Sequence, residues 1–80
     1  MSGFNESDIE ACIQLHFPDD LISVSGDGRH FGALIVSQRF EGLRPLERHR
    51  LVYEALGEHM RDDIHALSIK AFTPEEYGNN

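Results

Sequence analysis

The chain is short of cysteine, of basic residues and of long apolar runs, and each shortage removes a class of function. A single cysteine, Cys12, among 80 residues excludes an intramolecular disulfide and any all-cysteine metal or cluster site built from one chain. If the protein holds metal, histidine must supply most of the ligands, and five are present. Lys and Arg number 7 against 14 Asp and Glu, a formal net charge of −7. The surface as a whole therefore repels phosphate backbones, and any nucleic-acid contact needs a local basic patch. No window approaches the roughly 18 apolar residues that a membrane span requires. The start, Met1-Ser2-Gly3-Phe4-Asn5-Glu6, lacks the basic and apolar regions of a secretory signal, so a cytoplasmic location is expected.

What is present describes one small domain. A hydrophobic content of 40% and a charged content of 26% are ordinary globular values. Eighty residues suffice for a single modest core but not for a cleft between two lobes, which argues against an enzyme with an enclosed active site. The expected domain is 1–80 with an ordered core of about 6–77, without internal repeat or linker.

Periodicity divides the chain into an α-β-β-α-β order. Ser7-Asp8-Ile9-Glu10 matches a capping box, and Ile9, Cys12, Ile13 and His16 then recur at helical spacing until Pro18 ends the helix. On that face Cys12 reads as a small core residue. Leu21 to Ser25 alternates, with Ile22 and Val24 to one side. Ser25, Gly26, Asp27 and Gly28 supply the positive-φ and side-chain-capped positions of a tight turn, and His30 to Ser37 restarts as a more continuously apolar strand, expected at the centre of the sheet. After a polar connection carrying Phe40, Pro45 opens a second helix, whose pattern Leu46, His49, Val52, Tyr53, Leu56, Met60 extends to about His59 with Gly57 inside it. Arg61-Asp62-Asp63 is a short turn, Ile64 to Phe72 a third strand, and Thr73-Pro74-Glu75-Glu76 the cap of one last helical turn.

Two histidines acquire meaning from this order. The glycine turn makes the first two strands antiparallel, whereas the roughly 26 residues before the third allow a helical crossover, so the third strand is expected parallel to the second. His30 and His65 then lie at the same end of the sheet. Neighbouring strands would place them about 4.8 Å apart, and an intervening first strand nearer 10 Å. Taken singly, His30 reads as a half-exposed strand-start residue and His65 as a core histidine. Only the pair, beside a glycine turn, points to ligation. His16, His49 and His59 sit on helical patterns and read as packing or solvation.

Three motifs carry a resemblance to a known family: Val24-Ser25-Gly26-Asp27-Gly28-Arg29-His30-Phe31 in the turn, Phe40-Glu41-Gly42-Leu43 before the long helix, and Ile64-His65-Ala66-Leu67-Ser68-Ile69-Lys70-Ala71-Phe72-Thr73-Pro74-Glu75-Glu76-Tyr77 at the end. From about Asp8 to Tyr77 the chain resembles the BolA family, most closely its bacterial IbaG/YrbA-type branch. The resemblance implies an α+β fold like a class II KH domain, α-β-β-α-β with a three-stranded mixed sheet and a short C-terminal helix. It also implies a monothiol glutaredoxin as partner, in a heterodimer sharing a [2Fe-2S] cluster with glutathione, and iron-sulfur apoproteins as possible recipients. The metal ligands then map onto His65, the near-C-terminal histidine of the family, and His30, in the loop position that other members fill with histidine or cysteine. Gly26, Asp27, Gly28 and Arg29 would meet the partner.

The alternative implied by the same resemblance is a KH-like nucleic-acid-binding transcriptional regulator related to stress response. Arg39, Arg44, Arg48 and Arg50 cluster around the start of the long helix and would form its basic stripe. Against this stand the net charge and the absence of a Gly-x-x-Gly clamp, which Gly42-Leu43-Arg44-Pro45 does not supply. Catalysis is not expected. No histidine stands beside a plausible nucleophile, and Gly26-Asp27-Gly28 alone is a turn rather than a nucleotide fingerprint.

Overall fold

Asn5 opens the first helix by exchanging hydrogen bonds with Asp8. Asn5 Oδ1 accepts from the Asp8 amide at 3.0 Å, and Asp8 Oδ2 accepts from the Asn5 amide at 3.0 Å. The computed structural model describes residues 5–27, 29–62, 64 and 66–78, in the order α1 (Glu6–His16), β1 (Leu21–Gly26), β2 (His30–Val36), a 3-10 turn (Gln38–Phe40), α2 (Pro45–Leu56), α3 (His59–Asp62), β3 (Ala66–Phe72) and α4 (Pro74–Gly78). The expected α-β-β-α-β order with a C-terminal helical turn is present. The cap is not the expected Ser7 box, however. Asn5-Glu6-Ser7-Asp8 offers the same spacing two residues earlier, and that register leaves Ser7 within the helix.

The sheet has the order β1-β2-β3, so β2 is central, as its continuous apolar run suggests. β1 and β2 are antiparallel, with Gly26 opposite Phe31, and β2 and β3 are parallel, with His30 opposite Ala66. Of the two arrangements open to the sequence, the chain adopts the one in which β2 and β3 are neighbours. β3 begins at Ala66 rather than at Ile64, which is buried just ahead of it.

One face of the sheet carries the core. Phe31, Ala33 and Ile35 of β2 pack with Ile9 and Ile13 of α1 and Val52, Ala55 and Leu56 of α2, while Ile22, Val24, Leu67, Ile69 and Ala71 close the sides. Cys12 is half-buried against this cluster, as expected of a packing residue. Phe17, the C-cap of α1, is fully buried with its ring centroid 5.6 Å from that of Phe40.

α2 departs from the expected pattern in two ways. Gly57 is its C-cap, with φ +58°, so the helix stops at Leu56 and His59 belongs to the separate turn α3. Leu46 and Tyr53 face solvent, at 63% and 40% exposure. The inward stripe runs instead through Arg48, Val52, Ala55 and Leu56. Among the described residues no helix is long and apolar enough to cross a membrane.

Candidate metal centre

The β1–β2 turn is built by one carboxylate. Asp27 Oδ1 accepts from the Arg29 amide at 3.0 Å and from the His30 amide at 2.9 Å, while the Asp27 amide donates to the His30 carbonyl at 3.1 Å. The aspartate thus closes the loop from both sides. Those amide donors, His30 first and Arg29 second, hold the Asp27 carboxyl below the usual carboxylate range. Asp27 thus fills the side-chain-capped position that the sequence of the turn predicts.

Gly26 is needed for space rather than for a positive φ. Among the described residues positive φ occurs only at Gly42 and Gly57, which corrects the expected use of Gly26. A Cβ at Gly26 would lie 2.5 Å from Phe31 Cδ1 and 2.8 Å from the His30 carbonyl oxygen. Both neighbours belong to the strand that carries the candidate ligand. Gly28 lies outside the described residues.

His30 begins β2 with its imidazole 75% exposed and Nδ1 3.8 Å from Asp27 Oδ2. Its register partner on β3 is Ala66, the residue that follows His65 in the chain. His65 itself lies outside the described residues, so its side chain is not placed. Arg29 is exposed beside His30. Among the described residues no three His, Cys, Asp or Glu side chains gather closely enough to hold a metal ion. Cys12 lies on α1, and burial, helped by the Asp8 charge, pushes its thiol up. An exposed imidazole at one end of the sheet suits half of a centre completed from outside the chain.

The four arginines of the expected basic stripe do not act together. Arg48 is turned inward: Nε donates to the Leu43 carbonyl at 2.9 Å, Nη1 to the Ala71 carbonyl at 3.0 Å, and Nη1 and Nη2 to Glu76 at 2.7 and 3.1 Å. Its side chain is only 13% exposed, so it is a clamp between α2, β3 and α4 and is removed from the candidate interface. Arg39 donates to the His16 carbonyl and lies over the Phe17 ring, 4.7 Å from its centroid. Arg44 and Arg50 remain exposed. No local pattern could have revealed the Arg48 clamp, whose partners Ala71 and Glu76 lie 23 and 28 residues away.

Known proteins share this fold. The family described as "BolA-like protein" matches residues 5–76. The chain is 51% identical over 55 residues to "BolA-like protein 1" of Pongo abelii, covering 69% of this chain and 40% of that protein. It is 42% identical over 60 residues to "Acid stress protein IbaG" of Escherichia coli strain K12, covering 74% of this chain and 71% of that protein. The match thus spans about two fifths of the length of the BolA-like protein 1 relatives. The structure of a bolA protein homologue from Coxiella burnetii is similar with a TM-score of 0.82 and 48% identity, over 92% of this chain and 96% of that one. The chain belongs to the BolA-like protein family.

Proposed function

We propose that this protein is a non-enzymatic partner of a monothiol glutaredoxin, with which it shares a glutathione-dependent [2Fe-2S] cluster used in iron-sulfur trafficking, maturation or sensing. The observation that carries the reading is the position of His30. Its imidazole is open to a partner at the head of β2, on a turn pinned by Asp27, and its register partner is the chain neighbour of His65. His30 and His65 are the ligands this chain would contribute. Glutaredoxin and glutathione sulfur would supply the rest.

The chemistry suits histidine. Imidazole in place of thiolate leaves a cluster less negative and raises its potential, and a histidine ligand can be protonated and released near neutral pH. Such a ligand favours a cluster that is passed on or sensed. With one half-buried thiol held protonated on α1, the chain has no cysteine to offer in place of His30.

The test is to mix the protein with a monothiol glutaredoxin, glutathione, iron and sulfide and to follow visible circular dichroism. The reading expects a spectrum distinct from that of the glutaredoxin homodimer, reverting to it when both His30 and His65 are changed to alanine. A spectrum identical to the homodimer's, or one indifferent to the double substitution, contradicts it.

A further inference from the structure

Asp27 holds two sets of contacts with its two carboxylate oxygens. Oδ1 is occupied by the Arg29 and His30 amides at 3.0 and 2.9 Å, which anchors that oxygen inside the turn. Oδ2 is left on the side of the His30 ring, 3.8 Å from Nδ1. The turn alone needs only the first of these; a neutral side chain with one acceptor oxygen would serve it equally. We propose that Asp27 is a positioning residue for His30: its carboxylate biases the imidazole proton toward Nδ1 and so favours Nε2 as the atom offered to a metal. The inference rests on reading His30 as a ligand, but it concerns the metal-free chain and is measured there.

Three physical points support it. A neutral imidazole carries its proton on one nitrogen, and the hydrogen bond or charge at one nitrogen decides which nitrogen is free to ligate. A carboxylate facing Nδ1 favours Nδ1–H, whereas an unperturbed histidine in water favours the proton on Nε2. Carboxylate partners of this kind are the usual means of orienting metal-bound imidazoles and raising their basicity. At 3.8 Å the contact is one between a charge and a ring dipole rather than a formed hydrogen bond, and the pair is exposed at 75% and 71%. Its effect is therefore a bias of the tautomer, with a shift in the Nδ1–H to Nε2–H ratio of about two- to fivefold, the scale that exposed charge contacts support.

Asp27→Asn separates the two roles. The amide oxygen can still accept from the Arg29 and His30 amides, but the group that then faces Nδ1 is a donor, which favours the lone pair on Nδ1 and so removes the bias toward Nδ1–H. The experiment is a long-range ¹H–¹⁵N correlation spectrum of the imidazoles in the metal-free protein at about pH 8.5, some two units above the ordinary histidine value. The Nδ1–H to Nε2–H ratio of His30 is expected to be about two- to fivefold higher in the unmodified protein than in Asp27→Asn, with the Arg29 and His30 amide shifts showing that the turn persists. A purely structural Asp27 would leave the tautomer ratio unmoved while the turn holds. An unchanged ratio in a variant with an intact turn overturns the inference, as does a variant in which the Nδ1–H share rises. Because no iron is present, these results stand apart from the glutaredoxin experiment, which tests the ligand reading itself.

Discussion

At the residue scale, the two glycines whose neighbours are best defined have opposite meanings. A methyl group at Gly26 meets Phe31 and the His30 carbonyl at 2.5 and 2.8 Å, whereas at Gly32 the nearest atom is Ser25 Oγ at 3.6 Å. Gly26→Ala must displace the Phe31 ring and the His30 carbonyl at the start of β2, a form of overpacking that costs about 1–3 kcal/mol, or a Tm lower by roughly 5–20 °C in a domain of this size. Gly32→Ala is expected to change stability by less than about 0.5 kcal/mol. Thermal unfolding of the two variants checks the contrast, and equal losses would contradict the packing assigned to the turn. The sequence marked Gly26 as special for the wrong reason, because a glycine required for close approach and one required for positive φ look alike until the neighbours are placed.

At the scale of elements, the C-terminal turn is attached by polar contacts together with one ring pair, Phe72–Tyr77, whose centroids lie 6.1 Å apart. Thr73 caps α4, its Oγ1 accepting from the Glu76 amide at 3.1 Å while its own amide donates to Glu76 Oε1 at 2.9 Å. The Thr73-Pro74-Glu75-Glu76 signature is local, so this cap was legible. The Arg48 guanidinium, bonded to Glu76, lowers that carboxyl to about 2, with the Thr73 amide assisting. The folded state thus binds the Glu76 proton more weakly than the unfolded chain does. The stabilisation is present in full above the unfolded value, near 4.5, and is lost as pH falls toward about 2. Unfolding of the unmodified protein and of Glu76→Gln, followed against pH, is expected to show a stability gap at pH 7 that narrows below about 4.5 and closes near 2. A gap independent of pH would show that charge plays no part. Helix boundaries were less legible than strand order. Gly57 ends α2 through a backbone conformation that its sequence position alone does not declare, and the inward Arg48 occupies a position where periodicity expects an apolar residue.

At the scale of the whole molecule, topology supplies most of what the sequence could not state as geometry. The length of the β2–β3 connection predicts parallel strands, and the observed order selects adjacency over an intervening β1. The basic stripe is where linear proximity misled: Arg39, Arg44, Arg48 and Arg50 are neighbours in the chain, yet Arg48 is spent inside the fold and Arg39 lies over Phe17. With a net charge of −7, the molecule is expected to show no salt-sensitive duplex binding at about 150 mM salt. Binding that weakens on neutralising Arg44 and Arg50 would restore the regulator reading.

The central claim is that histidine nitrogen from this chain reaches iron, and it is tested most directly by pulsed EPR on the reduced complex assembled with a monothiol glutaredoxin and glutathione. The account predicts two strongly coupled ¹⁴N nuclei, one lost in His30→Ala and the other in His65→Ala. A spectrum without such couplings, or with couplings that survive both substitutions, would contradict it.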